Sequence, residues 1–395
     1  MAARALYLAA LLLPAQCAYP PGINRTFAFR NNASWPYSHN SGWALLPSGR
    51  IALVAQASQS TEGAASQVVF LCTSDDGGAT FSSAPRVIAG NGSAAVWGPV
   101  AFADARGVLR VFYAQAPAAA PTALCGDLMH ISSPDEGRTW SVPEVVLSRA
   151  ALDGSAKCPD NKPAQVAQDQ WALPLMSVGA QGHGGNGTRS LLVASQPGAG
   201  MAGPWAPLPG VIPPPPHFNK TDYLSEPAIA SCAPALPALP MPPGTWKMLA
   251  LLRNYELTWA SRSNDGGASW SAPFPTPLSN PYSKVDLAVW QGSTPAGPQP
   301  GALLLAHNPV KNCTEPVYCP RTPLSVSWSQ DCGAVWSPPL ELEPTASNPH
   351  GASYPTVGPC GGTRICVSYT LYDSSPHGAG IAFAAFDASA LAPMA

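Results

Sequence analysis

Charge is what this chain has least of. Lysine and arginine total 20 and aspartate and glutamate 22 in 395 residues, so 11% of positions are charged and the formal net charge is −2. That balance offers no basic face to a nucleic acid and no cationic patch to an acidic membrane. Long apolar runs are equally scarce. Beyond the N-terminal stretch Ala5 to Leu13, nothing approaches the roughly 20 consecutive apolar residues that a membrane helix needs. Cys-x-x-Cys and paired-histidine motifs are missing, as are motifs for a nucleotide or a lipid anchor, so neither a metal nor another cofactor is expected. Oligomeric state leaves no signature in the sequence.

What is abundant is proline (47) and glycine (35), in a chain that is 46% apolar. The two residues punctuate apolar runs instead of forming one continuous tract, which reads as many short strands joined by tight turns. Arg4, the apolar stretch Ala5 to Leu13 and the small residues of Ala15-Gln-Cys-Ala18 have the layout of a cleavable secretory signal over residues 1–18. A secreted, extracellular chain is therefore expected, with residues 19–395 as one domain. Six Asn-x-Ser/Thr sequons, at Asn24, Asn32, Asn91, Asn186, Asn219 and Asn312, fit passage through a glycosylating lumen. If Cys17 leaves with the signal, nine cysteines remain. An oxidising compartment favours disulfides; the close pairs Cys313/Cys319 and Cys360/Cys366 suit local staples, and the odd count leaves one thiol unpaired.

Four segments share the pattern Ser-x-Asp-x-Gly-x-x-aromatic: Ser74 to Phe81, Ser133 to Trp140, Ser263 to Trp270 and Ser329 to Trp336. The Asp hydrogen-bonds the turn backbone, the Gly takes positive φ, and the aromatic anchors the returning strand. The second interval is about double the other two, so one repeat between them has lost its box. Its remnant is Ser195 to Trp205, which keeps the Ser and the Trp without the Asp. A second marker runs in step: Pro99, Pro163, Pro227 and Pro355 are evenly phased, the last interval doubled, and each precedes an apolar-rich strand, a turn and another strand. Two further units begin near His39 and Lys284. Six antiparallel four-stranded units that close radially leave few exposed edges, and the expected fold is an all-β, six-bladed β-propeller. The N-terminal stretch Ile23 to Phe29 is placed to supply the outer strand of the last blade, beside Ile381 to Phe386.

In a propeller the residues just before each innermost strand point at the axis. Here those positions are His39, Gly98, Lys162, Glu226, Lys284 and Tyr354, five of them polar and ionisable. In a chain so poor in charge, that concentration marks a candidate site.

At this point the chain resembles the sialidase superfamily, whose turns of this kind are called Asp boxes. The stretch Ser225-Glu-Pro-Ala-Ile-Ala, followed later by Trp246 to Asn254, is similar to the family's Glu-bearing strand and the second substrate-binding Arg. Arg321 with Leu324 to Asp331 resembles the segment of the third Arg, and Gly351-Ala-Ser-Tyr-Pro355 the segment of the Tyr nucleophile. The resemblance implies Tyr354 as nucleophile, Glu226 as the carboxylate that accepts its proton, and Arg253 and Arg321 forked onto a substrate carboxylate. Sialic acids carry a carboxylate on the anomeric carbon, which is why this family departs from the usual carboxylate nucleophile. Two positions depart from the family. His39 stands where the first Arg is expected, and Glu62, in Ser60-Thr-Glu-Gly63, stands near the place of the acid/base Asp. His39 is a candidate carboxylate ligand or acid/base, and Lys162 an extra cation at the same rim. The implied activity is hydrolysis of a terminal sialic or related ulosonic acid from an acidic glycan or glycoconjugate. The alternatives are a uronate-directed polysaccharide lyase, recognised by an unsaturated product, and a glycan-binding propeller without turnover.

Overall fold

The structure is a computed structural model that describes residues 19–151, 155–178, 188–213, 224–232, 247–295, 297–310, 319, 321–375 and 378–394. The expected signal segment 1–18, Cys313 and the sequons at Asn186, Asn219 and Asn312 lie outside the described residues, while the sequon asparagines Asn24, Asn32 and Asn91 are exposed.

Apolar runs cut by Gly, Pro and Asp turns form short strands, and these assemble into six antiparallel sheets arranged as a six-bladed β-propeller. Blade 1 runs outward from Tyr37–Leu45 through Ile51–Ser58 and Val68–Ser74 to Arg86–Ala89. Blade 2 comprises Val96–Ala103, Leu109–Gln115, Asp127–Ser133 and Glu144–Leu147. In blade 3 two short segments, Ala156–Pro159 and Ala164–Ala167, share the inner edge of Gln170–Val178, followed by Arg189–Ser195 and Trp205–Pro207. Blade 4 has Ser225–Ser231, Met248–Arg253, Leu257–Ser263 and Phe274–Ser279; blade 5 has Asp286–Val289, Leu303–His307, Leu324–Ser329 and Leu340–Glu343. Blade 6 has Ala352–Pro359, Arg364–Leu371 and Gly380–Asp387, and its outer strand is the N-terminal Asn24–Arg30. That strand pairs Asn24 with Ala385 and Arg30 with Gly380, so the ring is closed by the two ends of the chain as the sequence leads one to expect.

The core lies between blades. Ala52, Val54 and Leu71 of blade 1 pack on Val111 and Tyr113 of blade 2. Comparable clusters join blades 2 and 3, 3 and 4, 4 and 5, and 5 and 6. The sixth, around Phe70 and Phe383, joins blade 6 to blade 1 and completes the circle. Every blade thus buries both faces, which accounts for strands such as Ile51–Ser58 that are buried at every residue.

The four boxes sit between the third and outer strands of blades 1, 2, 4 and 5. In the first, Ser74 Oγ donates to Asp76 Oδ1 at 2.8 Å and accepts from Gly78 N at 2.8 Å; Asp76 also accepts from Thr80 N and Thr80 Oγ1, at 2.9 and 2.6 Å. The glycine of each box has φ between 75° and 89°. In blade 3, Ser195 Oγ instead accepts from Trp171 N at 3.0 Å, and Trp205 opens the outer strand. Disulfides join Cys360 to Cys366, Cys125 to Cys158 and Cys232 to Cys332, the last tying the inner strand of blade 4 to the box of blade 5. Cys319 is also disulfide-bonded, and Cys72 is a free, buried thiol.

One expectation needs correction. His39, Gly98, Glu226 and Tyr354 do not precede the innermost strands but lie within them. The ladder resumes after a register shift at each place: between His39 and Ser41, Trp97 and Val100, Ser225 and Ala228, and Ser353 and Thr356. The left-handed residues of these bulges are Asn40 (φ 48°), Gly98 (57°), Glu226 (45°) and Tyr354 (54°). A bulge re-aims a side chain out of the pleat. Blade 2 has none to aim, because a Cβ on Gly98 would lie 1.9 Å from the carbonyl oxygen of Pro159.

Candidate active site

The bulges open into a cavity of about 550 Å³ to which all six blades contribute. Glu226 and Tyr354 enter it from the inner strands of blades 4 and 6, each in a left-handed conformation that non-glycine residues rarely adopt and that concentrates at functional sites. Tyr354 Oη donates to Glu226 Oε1 at 2.7 Å. Arg253, the last residue of the strand beside Glu226, donates from one Nη1 to Glu226 Oε1 at 2.5 Å and to Tyr354 Oη at 2.8 Å. Glu226 and Arg253 are 3% and 2% exposed, a depth at which charged residues survive only as partners.

Arg321, just before the third strand of blade 5, donates to Ser353 Oγ at 3.3 Å, and its guanidinium carbon is 5.5 Å from the Tyr354 ring centroid. Two guanidinium groups therefore flank one phenol. Burial pushes the Tyr354 phenol well above its ordinary pKa; Arg253 and Arg321 pull it back and Glu226 and Glu62 push it further up. The phenol is protonated in the free site and hands its hydrogen to a carboxylate.

Glu62 comes from the loop between the second and third strands of blade 1. Gln56 Nε2 donates to its Oε1 at 3.0 Å, and Tyr37 is hydrogen-bonded to it as well. Burial raises the Glu62 pKa above the usual carboxylate value, against the lowering pull of Tyr37 and Arg321. His39 packs against Tyr354 with ring centroids 4.2 Å apart, and its Nδ1 lies 3.0 Å from Thr370 Oγ1. Burial drives its pKa down to about 3, with Arg321, Lys284 and Arg253 adding to the drop, so the imidazole is neutral.

Six of the seven candidate site residues, His39, Glu62, Glu226, Arg253, Arg321 and Tyr354, line this one cavity. Lys162 does not. Its ammonium is bound to the buried carboxylate of Asp286 across the axis, and Asp286 Oδ2 also accepts from Val357 N at 2.8 Å. In the reciprocal direction Lys284 Nζ donates to the carbonyl oxygen of Asp160 at 2.7 Å. Blades 3 and 5 are thus cross-tied beside the cavity by the half-buried Lys162 and the buried Lys284.

Sequence reasoning missed the supporting residues. Tyr37 and Gln56 hold Glu62; Ser353 holds Arg321 and lies 3.0 Å from Tyr372 Oη; Thr370 holds His39. Tyr282, at φ 50°, lies under the Arg253 guanidinium at 4.2 Å and stacks on Tyr255 at 5.5 Å. Of these, Tyr282 stands two residues before the axial Lys284 and Ser353 inside the Gly351 to Pro355 segment, whereas Tyr37, Gln56 and Thr370 lie on strands without a motif. The wall near blades 2 and 3 is mostly apolar, with Trp97, Leu124, Cys158 and Met176, and includes the carboxylate residue Asp160. Among the described residues no cluster of His, Cys, Asp and Glu is arranged to hold a metal.

Fold and box turns together define a sialidase-like propeller. Residues 83–367 match the family model described as the BNR repeat-like domain, and the chain belongs to that family. No curated protein matches it in sequence. Among solved structures it is similar to a Hadza microbial sialidase, at 15% identity over 93% of this chain and 69% of that one, with a TM-score of 0.67. The intramolecular trans-sialidase from Ruminococcus gnavus, solved with oseltamivir carboxylate, is 14% identical over 94% of this chain and 98% of that one, with a TM-score of 0.66. A Dyadobacter fermentans protein of unknown function is 14% identical over 93% and 100%, with a TM-score of 0.64. Identities this low establish a shared fold.

Proposed function

We propose that this protein is a secreted exo-glycosidase that hydrolyses a terminal sialic or related ulosonic acid from glycoconjugates, with Tyr354 as the nucleophile. One observation carries the reading: the phenol of Tyr354 donates to Glu226 at 2.7 Å inside a cavity that also presents two arginines and Glu62, a carboxyl whose pKa burial raises. Arg253 and Arg321 hold the substrate carboxylate. Tyr354 Oη attacks the anomeric carbon as its proton passes to Glu226, and Glu62 gives its proton to the departing glycosidic oxygen. Water, deprotonated by Glu62, then displaces the tyrosyl oxygen, and Glu226 returns the proton to Tyr354. The raised Glu62 pKa suits the acid role, since the proton must be present near neutral pH. The N-terminal signal layout of residues 1–18, the disulfides and the exposed sequons support secretion, and among the described residues no helix is long and apolar enough to cross a membrane.

Turnover of fluorogenic glycosides of N-acetylneuraminate and of a ketodeoxy sugar acid tests this, comparing wild type with Tyr354→Phe. Turnover by wild type alone is expected; activity surviving the substitution removes Tyr354 as nucleophile. The His39 ring against Tyr354 favours a second reading, β-elimination by a tyrosine and histidine pair on a uronate glycan. An unsaturated product from such a glycan would replace hydrolysis with that chemistry. Binding without turnover of either kind would leave a glycan-binding propeller.

A further inference from the structure

His39 is set up to change its charge when the cavity fills. The inference rests on reading the cavity as an acidic-sugar site. The ring is 6% exposed and lines the cavity, fixed through Nδ1 by Thr370. Thr370 Oγ1 also accepts from Asn40 N at 3.2 Å. A hydroxyl with two lone pairs and one hydrogen accommodates either form of the imidazole: it donates to Nδ1 when the ring is neutral and accepts from Nδ1–H when the ring is charged. A carboxylate in its place would favour only the cation. The other nitrogen, Nε2, meets no hydrogen-bond partner among the described residues, on a ring that lines the cavity.

The groups facing this ring come from four elements or more. Tyr37 lies on its own strand; Tyr354, Thr370 and Tyr372 belong to blade 6; Glu226 and Arg253 belong to blade 4; Arg321 and Lys284 belong to blade 5. Three of them are cations; Glu226 is the anion that raises the His39 pKa, and the carboxyl groups of Glu62 on blade 1 and Asp160 on blade 3, the latter accepting from Asn40 Nδ2 at 2.9 Å, line the same cavity. In the empty site burial first, and the cations after it, keep a proton off His39. A carboxylate seated on Arg253 and Arg321 offsets the repulsion from the cations, and because coupling is reciprocal, what favours the proton also favours the anion.

We propose that binding of an anionic sugar draws a proton onto His39, whose Nε2–H then donates to the bound carboxylate as a third cationic contact. The sign follows from linkage. In the empty site His39 is neutral above about pH 3. In the complex its pKa is raised, so affinity is flat above the raised value and climbs about tenfold for each pH unit descended below it. Discrimination follows too, since a neutral sugar would draw no proton and gain nothing from acid.

The experiment is an NMR titration of the histidine rings in the full chain, empty and saturated with N-acetylneuraminate, a ketodeoxyoctonate or glucuronate. His39→Gln assigns the signal, and calorimetry in buffers of different ionisation enthalpy counts protons. Expected are a rise of about two pH units or more in the His39 midpoint on binding and net proton uptake near pH 4 to 5 that disappears in His39→Gln. A sugar acid that binds while His39 stays neutral, with no proton uptake, overturns the inference and leaves the acidic-sugar site intact. If none of the three acids binds, the functional reading fails and this inference with it. Should His39→Gln not fold, the wild-type titration with its proton count still decides.

Discussion

The rim and the axis of this propeller are built on opposite plans. At the rim, each box satisfies itself within eight residues: Ser263 reaches Asp265 two positions on, and Asp265 reaches Ser269 four positions on. The same solution is repeated in four blades with one change, Val335 replacing the hydroxyl residue in the last. At the axis the four bulged inner strands present four different residues, His39, Gly98, Glu226 and Tyr354. Tyr354 finds Glu226 across 128 residues of sequence, and Thr370 finds His39 across 331. The difference separates duties. Local closure makes the boxes interchangeable parts that set the period, whereas the bulged inner strands are free to carry a different side chain in each blade because the cores between blades hold the frame.

Substitutions at the two regions should therefore fail differently. The largest effect belongs to Tyr354→Phe, where loss of the attacking oxygen should lower kcat about ten-thousandfold or more. Thermal unfolding should change little, since Glu226 keeps its ion pair with Arg253. Next is the double replacement Cys232→Ser with Cys332→Ser. That bridge spans 100 residues and joins an inner strand to a box, and its removal should cost about 4 to 5 kcal/mol, against about 2 for the Cys360 to Cys366 bridge with its separation of 6. Denaturant unfolding of the two variants measures the gap; equal losses would mean that loop closure is not what these bridges supply. Glu62→Gln comes third, lowering turnover of an unactivated glycoside about a hundredfold while sparing one with a good leaving group. Burial holds the Glu62 pKa up, so in wild type the acid is present below the raised value and lost as pH rises through it. The alkaline limb of kcat should accordingly flatten in the variant, and a limb that persists would assign the acid to another group.

How much was legible follows the same division. The boxes and the phased prolines carried the blade count, and the N-terminal strand in blade 6 followed from needing one more edge. Glu226, Arg253, Arg321 and Tyr354 were legible through resemblance and lie together. Lys162 has the right phase and the wrong partner: charge type and repeat position do not reveal that Asp286, on another blade, takes the ammonium. Phase was also off at blade 1, where the left-handed residue is Asn40 and His39 lines the cavity from the position before it. A one-residue bulge leaves no mark in periodicity. Thr370 and Gln56 were invisible because a hydroxyl or amide on a strand reads like any polar residue until its distant partner is known.

The smallest effect gives the cleanest test of the rim. Ser263 is 2% exposed, and its hydroxyl accepts from Gly267 N at 2.8 Å while donating to Asp265 at 2.7 Å. Ser263→Ala leaves the Gly267 N–H buried without an acceptor, which costs about 1 to 2 kcal/mol. The box lies at the end of the third strand of blade 4, beyond the residues that line the cavity, so kcat and KM on any active substrate should stay within about twofold at temperatures below the unfolding transition. A KM shift larger than the stability loss explains would mean that strain at the rim passes through the neighbouring strand, where Met248 pairs with Ser263, to Arg253, and the two regions would then not be independent. Gly267 at φ 86° marks where such strain would start, because its N–H is the group that loses its acceptor.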